Sequence, residues 1–122
     1  MTETLTAEQF RELNFQVTPQ MKHRNQIVEA DGIKFRSKLE AKYYGKLKLL
    51  KKQGVVTDFK MQVKYPFVHN GIKVTAYIAD FVVTWASGAV TVEDCKGFIT
   101  DTYKIKRACM LAFYGITIKE VK

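Results

Sequence analysis

Residues 72–96, IKVTAYIADFVVTWASGAVTVEDCK, decide the fold. Ile72 to Trp85 is a long run of β-branched and aromatic residues, which predicts a strand. Ser87-Gly88 turns the chain, and Ala89 to Lys96 predicts a second strand lying back along the first. Within this hairpin Asp80 interrupts the apolar runs Tyr77-Ile78-Ala79 and Phe81-Val82-Val83. A carboxylate inside such a strand is costly unless it is paired or bound to a cation. Strand alternation puts Asp94 and Lys96 on one face and Glu93 and Cys95 on the other. Asp80 and Asp94 stand at similar distances from the turn, so opposite positions in the hairpin bring the two carboxylates close together.

Working outward, Asn70-Gly71 predicts another hairpin turn, leading back to a strand over Val55 to Val68. Pro66 within it indicates an edge position or a bend. Upstream, Ser37-Lys38-Leu39-Glu40 fits a capping box, and Leu39, Tyr43, Leu47 and Leu50 repeat at helical spacing until Gly54 stops the helix. Downstream, Gly97 leads to a second helix over Asp101 to Tyr114, stopped by Gly115, and Ile116 to Val121 predicts a last strand. The order helix, three strands, helix, strand predicts an α/β fold with a mixed central β-sheet flanked by helices. Before this core, residues 6–14 read as a short helix and 15–26 as an extended linker. Ile27-Val28 and Ile33-Lys34-Phe35 flank Asp31-Gly32 as a small hairpin. The expected organisation is an N-terminal helix and linker over 1–26 and a single domain over 27–122.

The 122 residues are 47% hydrophobic and 12% aromatic, which excludes a disordered chain. No apolar run reaches the ~20 residues of a membrane helix, and Met1-Thr2-Glu3-Thr4 lacks the basic-then-apolar order of a signal peptide. Cys95 and Cys109 alone make neither a disulfide framework nor a CxxC metal pair, so a cytoplasmic protein with no membrane association is expected. The net charge of +8 is concentrated. Residues 34–64 hold ten Lys and Arg against Glu40 and Asp58, which accounts for all of it. So local a positive field favours a polyanion, because neutralised phosphates release counterions. Arg36, Lys38 and Lys42 are candidate DNA contacts in that stretch, and Tyr103, Lys104, Lys106 and Arg107 in the first turns of the second helix.

Two nearby carboxylates repel each other, and a hard cation such as Mg2+ relieves that repulsion. Lys96, two residues past Asp94, would then sit beside the metal and any bound phosphate, an arrangement suited to phosphodiester hydrolysis. Plainer readings stand beside this one. Asp80 reads also as a buried acid paired with Lys96, and Glu40 as no more than the capping partner of Ser37. Cys95 and Cys109 read as small buried residues, and His69-Asn70-Gly71 as turn chemistry. His23 and His69 lack partners at zinc-ligand spacing. From Ala108 to Tyr114 the second helix has no charge at all, so one face is expected on the sheet and the other on a second subunit of a homodimer.

Asp80, then Asp94-Cys95-Lys96, behind a helix carrying Glu40, resembles the PD-(D/E)XK nuclease superfamily over residues 36–121. The stretches Asp31-Gly32-Ile33-Lys34-Phe35-Arg36-Ser37-Lys38-Leu39-Glu40-Ala41, Ala79-Asp80-Phe81 and Glu93-Asp94-Cys95-Lys96-Gly97-Phe98 look like small phage and prophage nucleases related to archaeal-type Holliday-junction resolvases. Ala79 stands where the superfamily's name has proline, and Asp94 where many members have glutamate. The resemblance implies Asp80, Asp94 and the Cys95 backbone carbonyl as ligands of Mg2+, with Mn2+ as a substitute. It implies Lys96 as the catalytic lysine, Glu40 binding or orienting at the metal, and Gln62 as a polar residue near the site. The implied activity is Mg2+-dependent cleavage of DNA, most of all four-way junctions. The alternatives are a related nicking or restriction-like phage endonuclease and a non-catalytic DNA-binding module.

Overall fold

The computed structural model describes Gln16, Val17 and residues 27–122. The chain forms two compact units, Met1–Val55 and Val56–Lys122. The helix expected over 6–14 and most of the linker lie outside the described residues. Gln16 and Val17, expected as linker, instead form a short strand, β1 (Gln16–Val17).

In the N-terminal unit, β1 pairs antiparallel with β2 (Val28–Ala30), which pairs antiparallel with β3 (Ile33–Phe35). Asp31 and Gly32 join β2 to β3 with φ of 53° and 76°, the two left-handed residues that a tight hairpin turn requires. Helix α1 (Lys38–Lys52) follows. Ser37 Oγ accepts from Glu40 N at 3.1 Å and so satisfies one of the helix's free amides. The helix is tied to the hairpin by the Phe35–Tyr44 ring pair, centroids 5.1 Å apart, and by Asp31, which accepts from Tyr44 and Lys48. Lys48 holds the Asp31 carboxyl below its ordinary pKa, while burial and this hydrogen bond push the Tyr44 phenol up to about 12.

The C-terminal unit is a four-stranded sheet in the order β4 (Val56–His69), β5 (Ile72–Trp85), β6 (Val90–Cys95), β7 (Lys119–Val121). The first three strands are antiparallel neighbours, and β7 joins β6 in parallel after helix α2 (Asp101–Tyr114). The fold is therefore α/β with a mixed sheet, as expected. Pro66 is accommodated because β4 is the edge strand. Thr100 caps α2 and Gly115, at φ 67°, ends it, its N–H returning to Leu111 O. The last strand starts later than expected, at Lys119, because Ile116 to Ile118 carry the chain from the helix end back to the core.

That core joins α2 to the sheet through Phe67, Tyr77, Ala79, Val92, Tyr103, Met110 and Ile118. Val82 packs against the same cluster. Tyr77, Ala79 and Val82 thus enter one core, so the two-residue alternation of β5 is broken around Asp80. Cys109, expected in the core, is half-buried against it. No helix among the described residues is long and apolar enough to cross a membrane.

Met110 is the fully buried anchor of α2. Met110→Ala is expected to cost about 2–5 kcal/mol in urea unfolding, the sum of lost burial and an unfilled cavity.

Candidate active site

Two interruptions of strand pairing place the polar residues. The β5–β6 ladder runs from Thr84–Val90 to Phe81–Glu93 and stops there. One step further, the same register would set Asp80 against Asp94. The β4–β5 ladder passes from Met61–Phe81 to Val63–Ala79 without pairing Gln62 and Asp80. Gln62 has φ 55°, an uncommon conformation for a residue with a Cβ and one that recurs at functional sites. Asp80 thus has no ladder partner on either side. Past that point β6 is held by β7: Lys96 N donates to Val121 O at 2.9 Å. The N–H of Cys95, released from β5, donates instead to Asp80 Oδ2 at 2.9 Å. Asp80, Asp94 and Lys96 come together where the β5–β6 ladder ends.

Asp94 is 3% exposed. Its Oδ2 accepts from the Tyr77 hydroxyl at 2.5 Å. Its Oδ1 is buried and accepts no hydrogen bond, although Lys96 Nζ stands 3.3 Å away as an ionic contact. The ammonium of Lys96 also lies 4.4 Å from the centroid of the Tyr103 ring. Burial first, and then the charge of Asp94, push the Asp80 carboxyl up to about 6. The Cys95 amide and Lys96 pull it the other way without cancelling the effect. Two carboxylates against one ammonium leave one negative charge in excess at a largely buried place.

That excess charge and the unsatisfied Oδ1 fit a hard divalent cation. The donors are all oxygen: Asp80, Asp94 and the implied Cys95 carbonyl. Among the described residues no three His, Cys, Asp or Glu side chains gather as a metal cage. An all-oxygen donor set of this kind suits Mg2+, which keeps several waters.

Glu40 sits in the first turn of α1, in the N-terminal unit, and is 8% exposed. Arg36, Lys38 and Lys42 are exposed in that unit, and Gln62 is exposed on β4. On α2, Lys104 is exposed and Lys106 half-buried. Arg107 binds Glu120 Oε2 at 2.7 Å. Tyr103 is not an open phosphate contact: it is buried, and its hydroxyl donates to the same Glu120 oxygen at 2.8 Å. Its ring closes the core beneath Lys96. Cys95 is buried, as expected.

Sequence reasoning missed Tyr77, which it took as part of the apolar flank of Asp80. The available signal was a phenol inside an apolar strand next to the strand that carries Asp94, since a buried tyrosine hydroxyl needs a partner. It also missed the polar cluster at Glu93, which is fully buried. There Trp85 Nε1 donates to Thr91 Oγ1 at 2.8 Å, Thr91 donates to Glu93, and Lys119 Nζ lies 3.8 Å from Glu93 Oε2.

A family model described as "Protein of unknown function (DUF1064)" matches residues 20–120. The chain belongs to the DUF1064 family. No curated protein and no solved structure matches the chain. The matched span includes Asp80, Asp94 and Lys96, and also Glu40 and Glu120.

The raised Asp80 pKa fixes the sign of a pH effect. The native carboxyl holds its proton up to about pH 6, whereas an unfolded aspartate releases it near 3.8. Between those values the native state binds more protons, so stability falls as pH rises through that window. Asp80→Asn keeps an oxygen for the Cys95 amide and removes the like charge. It is expected to raise the melting temperature at pH 8 and to flatten the decline between pH 4 and 6, as read by thermal unfolding across pH.

Proposed function

We propose that this protein is a metal-dependent DNA endonuclease that hydrolyses phosphodiester bonds, with four-way junctions as its preferred substrate. The observation that carries the reading is the Asp80–Asp94–Lys96 constellation, in which two crowded carboxylates have one lysine beside them. The charge distribution supports a polyanionic substrate: the +8 of the chain resides in residues 34–64. The order of helix, three strands, helix and strand agrees with the nuclease resemblance that the sequence suggested.

Asp80 and Asp94 would hold Mg2+, with the Cys95 carbonyl as a further ligand. When bound, Mg2+ supplies positive charge to the phosphate and eases deprotonation of the attacking water. The protein's own part is positioning and charge. Lys96, held between Asp94 Oδ1 and the Tyr103 ring, keeps an ammonium where a phosphate oxygen gains negative charge. Water attacks phosphorus, the P–O3′ bond breaks, the leaving oxygen takes a proton, and a 5′-phosphate and a 3′-hydroxyl result. Lys104, Lys106 and Arg107 would contact flanking phosphates, which set register without reading sequence. Paired cleavage of a junction needs two active sites and hence a homodimer. Ile105 and Leu111, 63% and 57% exposed on one side of α2 with Ala108 between them, support such an interface.

The test is cleavage of three end-labelled DNAs, a four-way junction, a duplex and a single strand, with Mg2+ and with EDTA. Paired symmetric nicks in the junction alone, lost in EDTA, are expected. Asp80→Ala is expected to abolish cleavage with binding intact or tighter, and Lys96→Ala to slow it on the order of 10²–10³-fold. Cutting of all three DNAs would indicate a nicking or restriction-like nuclease. Tight binding without cleavage under any divalent metal would indicate a DNA-binding module.

A further inference from the structure

We propose that Tyr77 is the positioning residue that aims Asp94 at a divalent cation, an inference that rests on the reading of the carboxylate pair as a cation site. An aspartate side chain has two torsions, and a buried carboxylate with no fixed partner can present either oxygen. Tyr77 removes that freedom. Its hydroxyl donates to Asp94 Oδ2, so Oδ1 is the oxygen left without a hydrogen bond, on the side where Lys96 Nζ stands 3.3 Å away.

The phenol is itself held in place. Tyr77 is 3% exposed and belongs to the core cluster with Phe67, Ala79, Val92, Tyr103 and Met110. Its ring centroid is 6.5 Å from that of Tyr103, and its backbone is paired with Tyr65 across the β4–β5 ladder. Burial raises its pKa far above neutrality, so it remains a donor at every working pH. A rigid donor on one oxygen turns the other into a ligand of fixed direction, as outer hydrogen bonds do for metal-bound carboxylates. Asp80 is treated in parallel by the Cys95 amide, which takes its Oδ2. Each carboxylate is thereby anchored by one oxygen.

The test is Mn2+ binding to the 122-residue chain, followed by the loss of the free-ion signal in electron paramagnetic resonance. Tyr77→Phe keeps the ring and removes only the hydroxyl. It is expected to weaken Mn2+ binding about 10–100-fold, the range typical of outer-shell partners. Tyr65→Phe, which removes a phenol hydroxyl elsewhere on the same ribbon, is expected to bind as wild type. A purely structural role would lower the melting temperature of Tyr77→Phe and leave its Mn2+ affinity unchanged, which would overturn the proposal while the cation site stands. Absence of Mn2+ binding by the wild type would overturn both. Should Tyr77→Phe fail to fold, wild-type protein with ¹³C-labelled tyrosine answers the same question. The Tyr77 Cζ resonance is expected to shift when Mg2+ is added, with that of Tyr65 unmoved, and no shift at Tyr77 would overturn the proposal.

Discussion

Two negative charges are brought together where a sheet comes apart. The β5–β6 pairing that aligns Asp80 with Asp94 ends one residue before them, so no backbone ladder continues through the site. Were the ladder to continue, Cys95 N–H would be spent on β5, and Asp80 would lose the donor that holds its Oδ2. The parallel strand β7, on the other edge of β6, pairs with it at Glu93, Asp94 and Cys95 and so keeps β6 in the sheet past the point where the β5 ladder ends. The crossover helix α2 that delivers β7 also supplies Tyr103, whose ring supports Lys96. Fold and site thus share a cause, since the connection that completes the sheet also furnishes the environment of the lysine.

The same crowding opposes stability. A carboxyl raised to about pH 6 by burial and a neighbouring charge is one the fold would shed if packing alone mattered. The surroundings soften the cost without removing it: an amide for Asp80, a phenol for Asp94 and an ammonium between cation–π and ionic contacts. By contrast, Glu93, buried on the same strand, carries Thr91 and Lys119 on its carboxylate and leaves no comparable unsatisfied oxygen. The two acids are neighbours in sequence with opposite characters. Glu93 is hydrogen-bonded by Thr91, whereas Asp94 keeps a buried Oδ1 with the Lys96 ammonium 3.3 Å away and no hydrogen bond.

Much of this was legible in residues 72–96. The turn at Ser87-Gly88 and the single acid in the apolar run sufficed to foresee that Asp80 would meet Asp94, and glycine and capping signals located both helices. What stayed hidden depends on geometry that period-two patterning does not carry. The left-handed Gln62 and the unpaired step at Asp80 shift which residues of β5 face α2, so Tyr77 and Val82 reach one core from positions of opposite parity. Tyr103 looked like a surface residue because lysines and an arginine surround it in sequence. Lys96 and Arg107 instead cover its ring while its hydroxyl turns to Glu120. The strand at Gln16–Val17 was missed because two residues are too short a run to show alternation.

The most direct measurement is an anomalous-scattering map from a crystal of the protein grown or soaked with MnCl2. One strong peak is expected, bonded to an oxygen of Asp80 and to Oδ1 of Asp94, with Tyr77 still donating to Oδ2. A map with no peak at this pair, or with Lys96 closing onto both carboxylates in its place, would contradict it.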